Sequence, residues 1–304
     1  MPCFVAKTGL PSKLTLLALL FGVISSTNSA QADRCDNRSS MGSCIDMNND
    51  GNCTRSTDRP LPTPTVETDG SGLTVSTLYD ITTRRDFARA GIVINSPIRF
   101  STDSIIFVAN GDVTLCRSPR RTSGIRADFL SVVGLFSTRQ VFIDSDVRLA
   151  DKLGLNARSD QTITIGDRFS LECNQPGCVN FTANQLTVGR SVTLFATDVN
   201  VTAQVIFFGA NSKLVGLPYE TAAGGLIWLN YDRLIADSLL IEGSAIILLS
   251  QSCTLATGNR LTNSVIRGIP APGPGGSSLD MCKALDLTGT RIFNETFGTL
   301  RFVE

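Results

Sequence analysis

Four short segments of this chain repeat one pattern, a large apolar residue, any residue, alanine and a polar residue, at almost constant spacing. Leu155-Asn156-Ala157-Arg158, Phe181-Thr182-Ala183-Asn184, Phe208-Gly209-Ala210-Asn211 and Leu234-Ile235-Ala236-Asp237 start 26, 27 and 26 residues apart, and Leu261-Thr262-Asn263 echoes them in weaker form after another 27. Glycines follow each copy at Gly166, Gly189, Gly216, Gly243 and Gly268. Between these markers run short alternating segments such as Thr162-Ile163-Thr164-Ile165 and Leu186-Thr187-Val188, which read as strands. A period of this length carried by strands predicts an all-β parallel solenoid with coils of about 22–27 residues. Inward side chains then stack coil on coil, and glycine or asparagine takes the corners. A β-sandwich is the alternative, although its strands recur at about 8–12 residues without a longer echo. The leucine-rich repeat shares the period, but its signature is absent.

The repeat does not reach the amino terminus. Lys7 and Lys13, an apolar run over 14–24 and Ala30-Gln31-Ala32 have the order of a secretory signal peptide covering 1–32. That run is too short to span a membrane, and no later stretch qualifies, so the mature chain is expected to be exported without a transmembrane segment. Residues 33–58 form a Cys/Asp-rich segment with few apolar residues, which needs cross-links or a metal to hold it. A Pro/Gly linker over 59–72 separates it from a solenoid body with its carboxyl-terminal cap over 73–304. Only Thr83 to Ala90 looks helical, as a short helix over the open end of the sheets.

Cysteine usage agrees with export. Without Cys3, which leaves with the signal peptide, eight remain: Cys35, Cys44, Cys53, Cys116, Cys173, Cys178, Cys253 and Cys282. The tight turn between Cys173 and Cys178 and the Pro/Gly-rich loop between Cys253 and Cys282 make these the preferred pairs. The other four are left to tie the amino-terminal segment together and to Cys116, in a connectivity that sequence does not decide. Within that segment, Asp46-Met47-Asn48-Asn49-Asp50-Gly51-Asn52 resembles the first half of an EF-hand-like calcium loop, with Asp46, Asn48 and Asp50 at the oxygen-ligand positions. Thr57 stands where the bidentate acid belongs, and Asp58 comes one residue later. Calcium is the only cofactor this reading brings in; a polar turn closed by Asx hydrogen bonds is the competing one.

At the level of the fold, the periodic strands resemble right-handed parallel β-helix proteins of the pectin-lyase-like kind, over roughly two-thirds of the chain and with no catalytic motif. The polygalacturonase branch of that family uses adjacent aspartates and Gly-His-Gly. This chain has no histidine and no two adjacent acidic residues, so that activity does not carry over. The resemblance leaves open a lyase branch, which holds calcium with aspartates and takes a proton with arginine or lysine. Asp144, Asp146, Asp167, Arg168 and Arg190 lie about one coil apart and are the candidates for such chemistry on an acidic polysaccharide. A row of solvated corner residues is the plainer reading.

Two further groups concern binding. Tyr219, Trp228 and Tyr231 cluster around the single tryptophan and offer aromatic faces to sugar rings, unless Trp228 is core. Arg117, Arg120 and Arg121 offer guanidinium forks to sulfate or carboxylate groups, or form a solvated charged loop. Lys and Arg balance Asp and Glu at 27 each, which leaves no cationic footprint for nucleic acid. The expectation is a secreted or cell-surface, non-catalytic solenoid, a matrix or adhesive component contacting extracellular glycans or copies of itself. The alternative is a calcium-dependent polysaccharide lyase.

Overall fold

The computed structural model of the chain describes residue 35 and residues 42–68, 74–117, 125–127, 130–149, 153–175, 177–217, 225–250, 253, 258–270 and 276–304. The signal-peptide reading over 1–32 lies outside them, as do Arg120, Arg121 and Tyr219. The described chain winds as a parallel β-solenoid of about 8 turns, consistent with a right-handed β-helix. That hand is the one connections between parallel strands almost always take.

Three parallel ladders form the walls. The first runs from Thr74–Asp80 through Ser104–Ala109, Ser131–Ser137 and Leu153–Ser159 to Ser277–Cys282 and Phe297–Val303. The second includes Gly91–Ile94, Val113–Leu115, Gln140–Ile143 and Thr162–Ile165. In the middle coils Val179–Val188, Asp198–Phe208 and Leu226–Asp237 bend and serve both walls. The third carries Ser170–Cys173, Thr193–Ala196, Lys213–Gly216, Leu240–Gly243 and Val265–Gly268. Because side chains alternate across a strand, every second residue points inward and stacks on its counterpart. One such row reads Phe107, Leu135, Ala157, Phe181, Val201, Leu229, Leu248 and Met281, all buried. Small Ala157 lies between larger neighbours in this row. Burial of each large member contributes about 1.5–3 kcal/mol.

The sequence echo marks the coils, but its copies do not all stack on one another. Ala157 registers with Phe181, whereas Ala236 registers with Phe208 and Leu261. The glycine beat joins two different corners. Gly166, Gly189 and Gly209 approach each other at one, while Gly216, Gly243 and Gly268 end strands of the third wall. Coil length varies, from the 19-residue step between Leu226 and Ala245 to the 33-residue step between Ala245 and Ser278.

The amino-terminal edge is closed by chain expected to be a separate segment and a linker. Cys44–Asp46 pairs antiparallel with Gly91–Ile94, Arg59–Pro60 with Cys44–Asp46, and Thr65–Thr68 with Thr74–Asp80. These strands, not a helix, cover the first coil. The helical expectation over 83–90 reduces to one 3₁₀ turn, Arg85–Phe87. Four disulfides are formed: the two preferred pairs Cys173–Cys178 and Cys253–Cys282, together with Cys44–Cys53 and Cys35–Cys116. The last ties the amino-terminal segment to the second wall across 81 residues of sequence. No helix among the described residues is long and apolar enough to cross a membrane.

Candidate functional site

The corner between the second and third walls gathers all five residues considered for lyase chemistry. At this corner one residue per coil adopts the left-handed conformation: Asp146, Arg168, Ser191, Asn211, Ser238 and Asn263, with Gly289 completing the column. Their backbone N–H groups donate to the next coil, as Asp146 does to the Asp167 carbonyl at 2.8 Å and Arg168 to the Arg190 carbonyl at 2.8 Å. Side chains pair along the same column. Arg168 grips Asp146 with two bonds, Nε to Oδ1 at 2.6 Å and its terminal nitrogen to Oδ2 at 2.8 Å, while Arg117 reaches Asp146 Oδ2 at 3.1 Å. Arg190 donates its backbone N–H to Asp167 Oδ1 at 2.8 Å and its guanidinium to Oδ2 at 2.8 Å. Asp144 accepts the Ser145 N–H at 2.7 Å. Hydrogen bonding to Asp146, then its charge, raises the Arg168 pKa above the ordinary guanidinium value. An arginine held cationic in this way is a poor proton acceptor. The column is therefore a run of exposed ion pairs along a corner, with its cations and anions matched within the chain.

The amino-terminal loop closes on its own polar groups. Asp46 Oδ2 accepts the Gly51 N–H at 2.8 Å, Asn48 donates to Asp50 Oδ2 at 2.9 Å, and Asp50 Oδ1 accepts the Asn52 N–H at 2.8 Å. Asp58 turns inward, taking the N–H groups of Met47 at 3.1 Å and Thr54 at 2.6 Å. Asn49, left-handed at φ 56°, accepts the Asp112 N–H at 2.9 Å and so pins the loop to the first coil. Asp46 is fully buried, and its Oδ1 has no hydrogen-bond partner. Burial, with Asp50 and Asp58 nearby, pushes its pKa up to about 6 against the Gly51 bond. Among the described residues no group of three or more His, Cys, Asp or Glu side chains is placed to hold a metal ion. In this arrangement Asn48 and Asp50 bind each other and Asp46 Oδ2 binds the loop backbone.

The aromatic cluster separates. Tyr231 is 1% exposed, points into the core and donates its hydroxyl to the Leu248 carbonyl at 3.4 Å; burial raises its pKa. Trp228, three residues earlier on the same strand, faces outward and is 41% exposed. Its register neighbours are Asn200 on one side and Ile247 on the other, and Asn180 lies beyond Asn200. Asn230 and Asp232 share its parity and its face. Thr202, Gln204, Asn230 and Asp232 line a shallow hollow at the bend between the first two walls, floored by Ala183, Ala203 and Tyr231. No family model, curated protein or solved structure matches this chain. The site is consequently read from its geometry alone: an exposed indole on a flat strand face, followed along that face by amide, hydroxyl and carboxylate groups. Such a surface can stack on the C–H face of a sugar ring and bind its hydroxyls. Sequence reading grouped Trp228 with Tyr231 and missed Asn230, Thr202 and Gln204. The polar residues at Asn230 and Asp232 were the available signal that Trp228 has outward parity.

Proposed function

We propose that this protein is a secreted, non-catalytic β-solenoid that contacts extracellular glycans through the outward face around Trp228. The observation that carries the reading is the exposure of Trp228 between two buried neighbours, Ile227 and Leu229, beside a hollow lined by hydrogen-bonding side chains. The indole keeps 41% of its surface in water, so part of its face is available to a ligand. Four disulfides suit an oxidising, extracellular compartment. Lyase chemistry gains no support at the corner column, where each candidate base is bound to a carboxylate.

Because the chain contains one tryptophan, its fluorescence reports this site directly. Titration with neutral and acidic oligosaccharides is expected to quench or shift that emission saturably for at least one glycan class. Emission unchanged across the series would count against the reading. In parallel, incubation with polyuronates and calcium is expected to leave absorbance of unsaturated product at background. Product formation lost in Arg168→Ala would instead establish the lyase.

A further inference from the structure

Asp46, Asp50 and Asp58 crowd the amino-terminal loop, and among the described residues no Lys or Arg forms an ion pair with any of them. Both carboxylate oxygens of Asp50 and both of Asp58 accept hydrogen bonds. Asp46 differs. Its Oδ2 accepts the Gly51 N–H, so the carboxylate faces into the loop, yet its Oδ1 has no partner although the residue is 1% exposed. Asn52, at the end of the same loop, also buries its side-chain Oδ1 without a partner. An acceptor sealed from solvent without a donor is destabilising, more so when it carries charge, and a bound cation relieves it.

The donors of the loop select the kind of cation. They are all oxygens, because Cys44 and Cys53 are joined in a disulfide and the chain has no histidine. Oxygen-only donors suit a hard ion. Asp46, Asn48 and Asp50 alternate along the chain before Gly51, which turns it at φ 81°. A third acidic side chain is not required, since amide and carbonyl oxygens and water fill the remaining positions around calcium. Magnesium, which demands near-ideal octahedral geometry and dehydrates reluctantly, suits such a loop less well. The scaffold is already set: the Cys44–Cys53 bridge closes the loop, and Asn49 holds it to the first coil. Asn48 donates its amide nitrogen to Asp50 Oδ2 at 2.9 Å, so binding needs only that this amide turn its oxygen inward.

We propose that the loop over 46–52 holds one calcium ion, with Asp46 Oδ1, Asp50, the Asn48 amide oxygen and an oxygen of Asn52 as ligands, and that the ion fastens the amino-terminal segment to the first coil. The site is independent of the glycan face around Trp228. Asp58, occupied with the N–H groups of Met47 and Thr54, adds no bidentate ligand, which places the Kd at about 0.1–1 mM. Calorimetric titration of the purified, chelator-treated protein with calcium chloride is expected to show one site per chain, and magnesium chloride a much weaker response. Asp50→Ala, at an exposed position, is expected to weaken binding at least about tenfold with an unchanged melting temperature in chelator. Hydrogen exchange on the unaltered protein gives a readout free of any variant's folding: calcium should slow the amides of 47–52 and leave those of 297–303 alone. No saturable binding up to about 10 mM calcium, binding unchanged in Asp50→Ala, an equal response to magnesium, or exchange at 47–52 indifferent to calcium would each overturn the proposal.

Discussion

Asp46 shows how a single side chain can work against the fold that holds it. Its folded pKa of about 6 lies above the ordinary carboxylate value of 3.8, chiefly because burial disfavours the carboxylate. The folded state therefore binds this proton more tightly than the unfolded state. Its contribution to stability is fullest below pH 3.8 and is lost as pH rises through about 6. Melting temperature followed from pH 4 to 7 should contain a falling component that Asp46→Asn removes; an identical profile in the variant would contradict this. The sequence made Asp46 legible as a polar loop position, but whether its oxygens would face a cation or the loop backbone depended on how the Cys44–Cys53 bridge closed. Trp228 and Tyr231 teach a related lesson. Within the apolar run Leu226-Ile227-Trp228-Leu229, hydrophobicity does not reveal parity; the polar residues that follow it do.

At the scale of elements, the corner column is where backbone conformation and sequence fit least well. Ser191 and Ser238 stand left-handed at φ 55° although a serine side chain disfavours that region. Ser191→Gly is expected to stabilise the protein by about 0.5–1 kcal/mol, the relief of steric cost exceeding the added chain entropy. Gly209 is the opposite case, since a Cβ there would lie 2.5 Å from the Gly189 carbonyl carbon. Gly209→Ala should cost about 1–3 kcal/mol. Thermal denaturation of both variants tests the stacking of corners; equal effects in the same direction would be inconsistent with it. The coil repeat was visible because apolar strands and small corner residues recur together. Its true register was hidden because two corners per coil both use glycine, so a regular beat can pass from one corner to the other. The proline-bearing stretch around Arg59–Pro60 read as a linker because proline suits extended spacers, yet it suits edge strands equally well.

For the whole molecule, closure at the amino-terminal end combines a covalent link with burial of Ile45 in the main core, against which Met47 and Leu61 pack. Cys35–Cys116 closes the longest loop of the four disulfides, and the chain-entropy model assigns it about 4–5 kcal/mol, against about 2 for Cys173–Cys178. Replacing Cys35 and Cys116 by serine should lower the melting temperature more than replacing Cys173 and Cys178, and a reversed order would show that the amino-terminal segment contributes little to the body. The fold was legible because periodicity is a property of the whole chain, whereas the binding face was not, because it is assembled from separate coils that bring Thr202 beside Asn230 and Asn200 beside Trp228. The most direct measurement of that assembly is a glycan array probed with the unaltered protein, Trp228→Ala and Arg168→Ala. Binding to a defined glycan class that is lost in Trp228→Ala and kept in Arg168→Ala is the predicted result; no binding, or binding that survives removal of the indole, would contradict the assignment of this face.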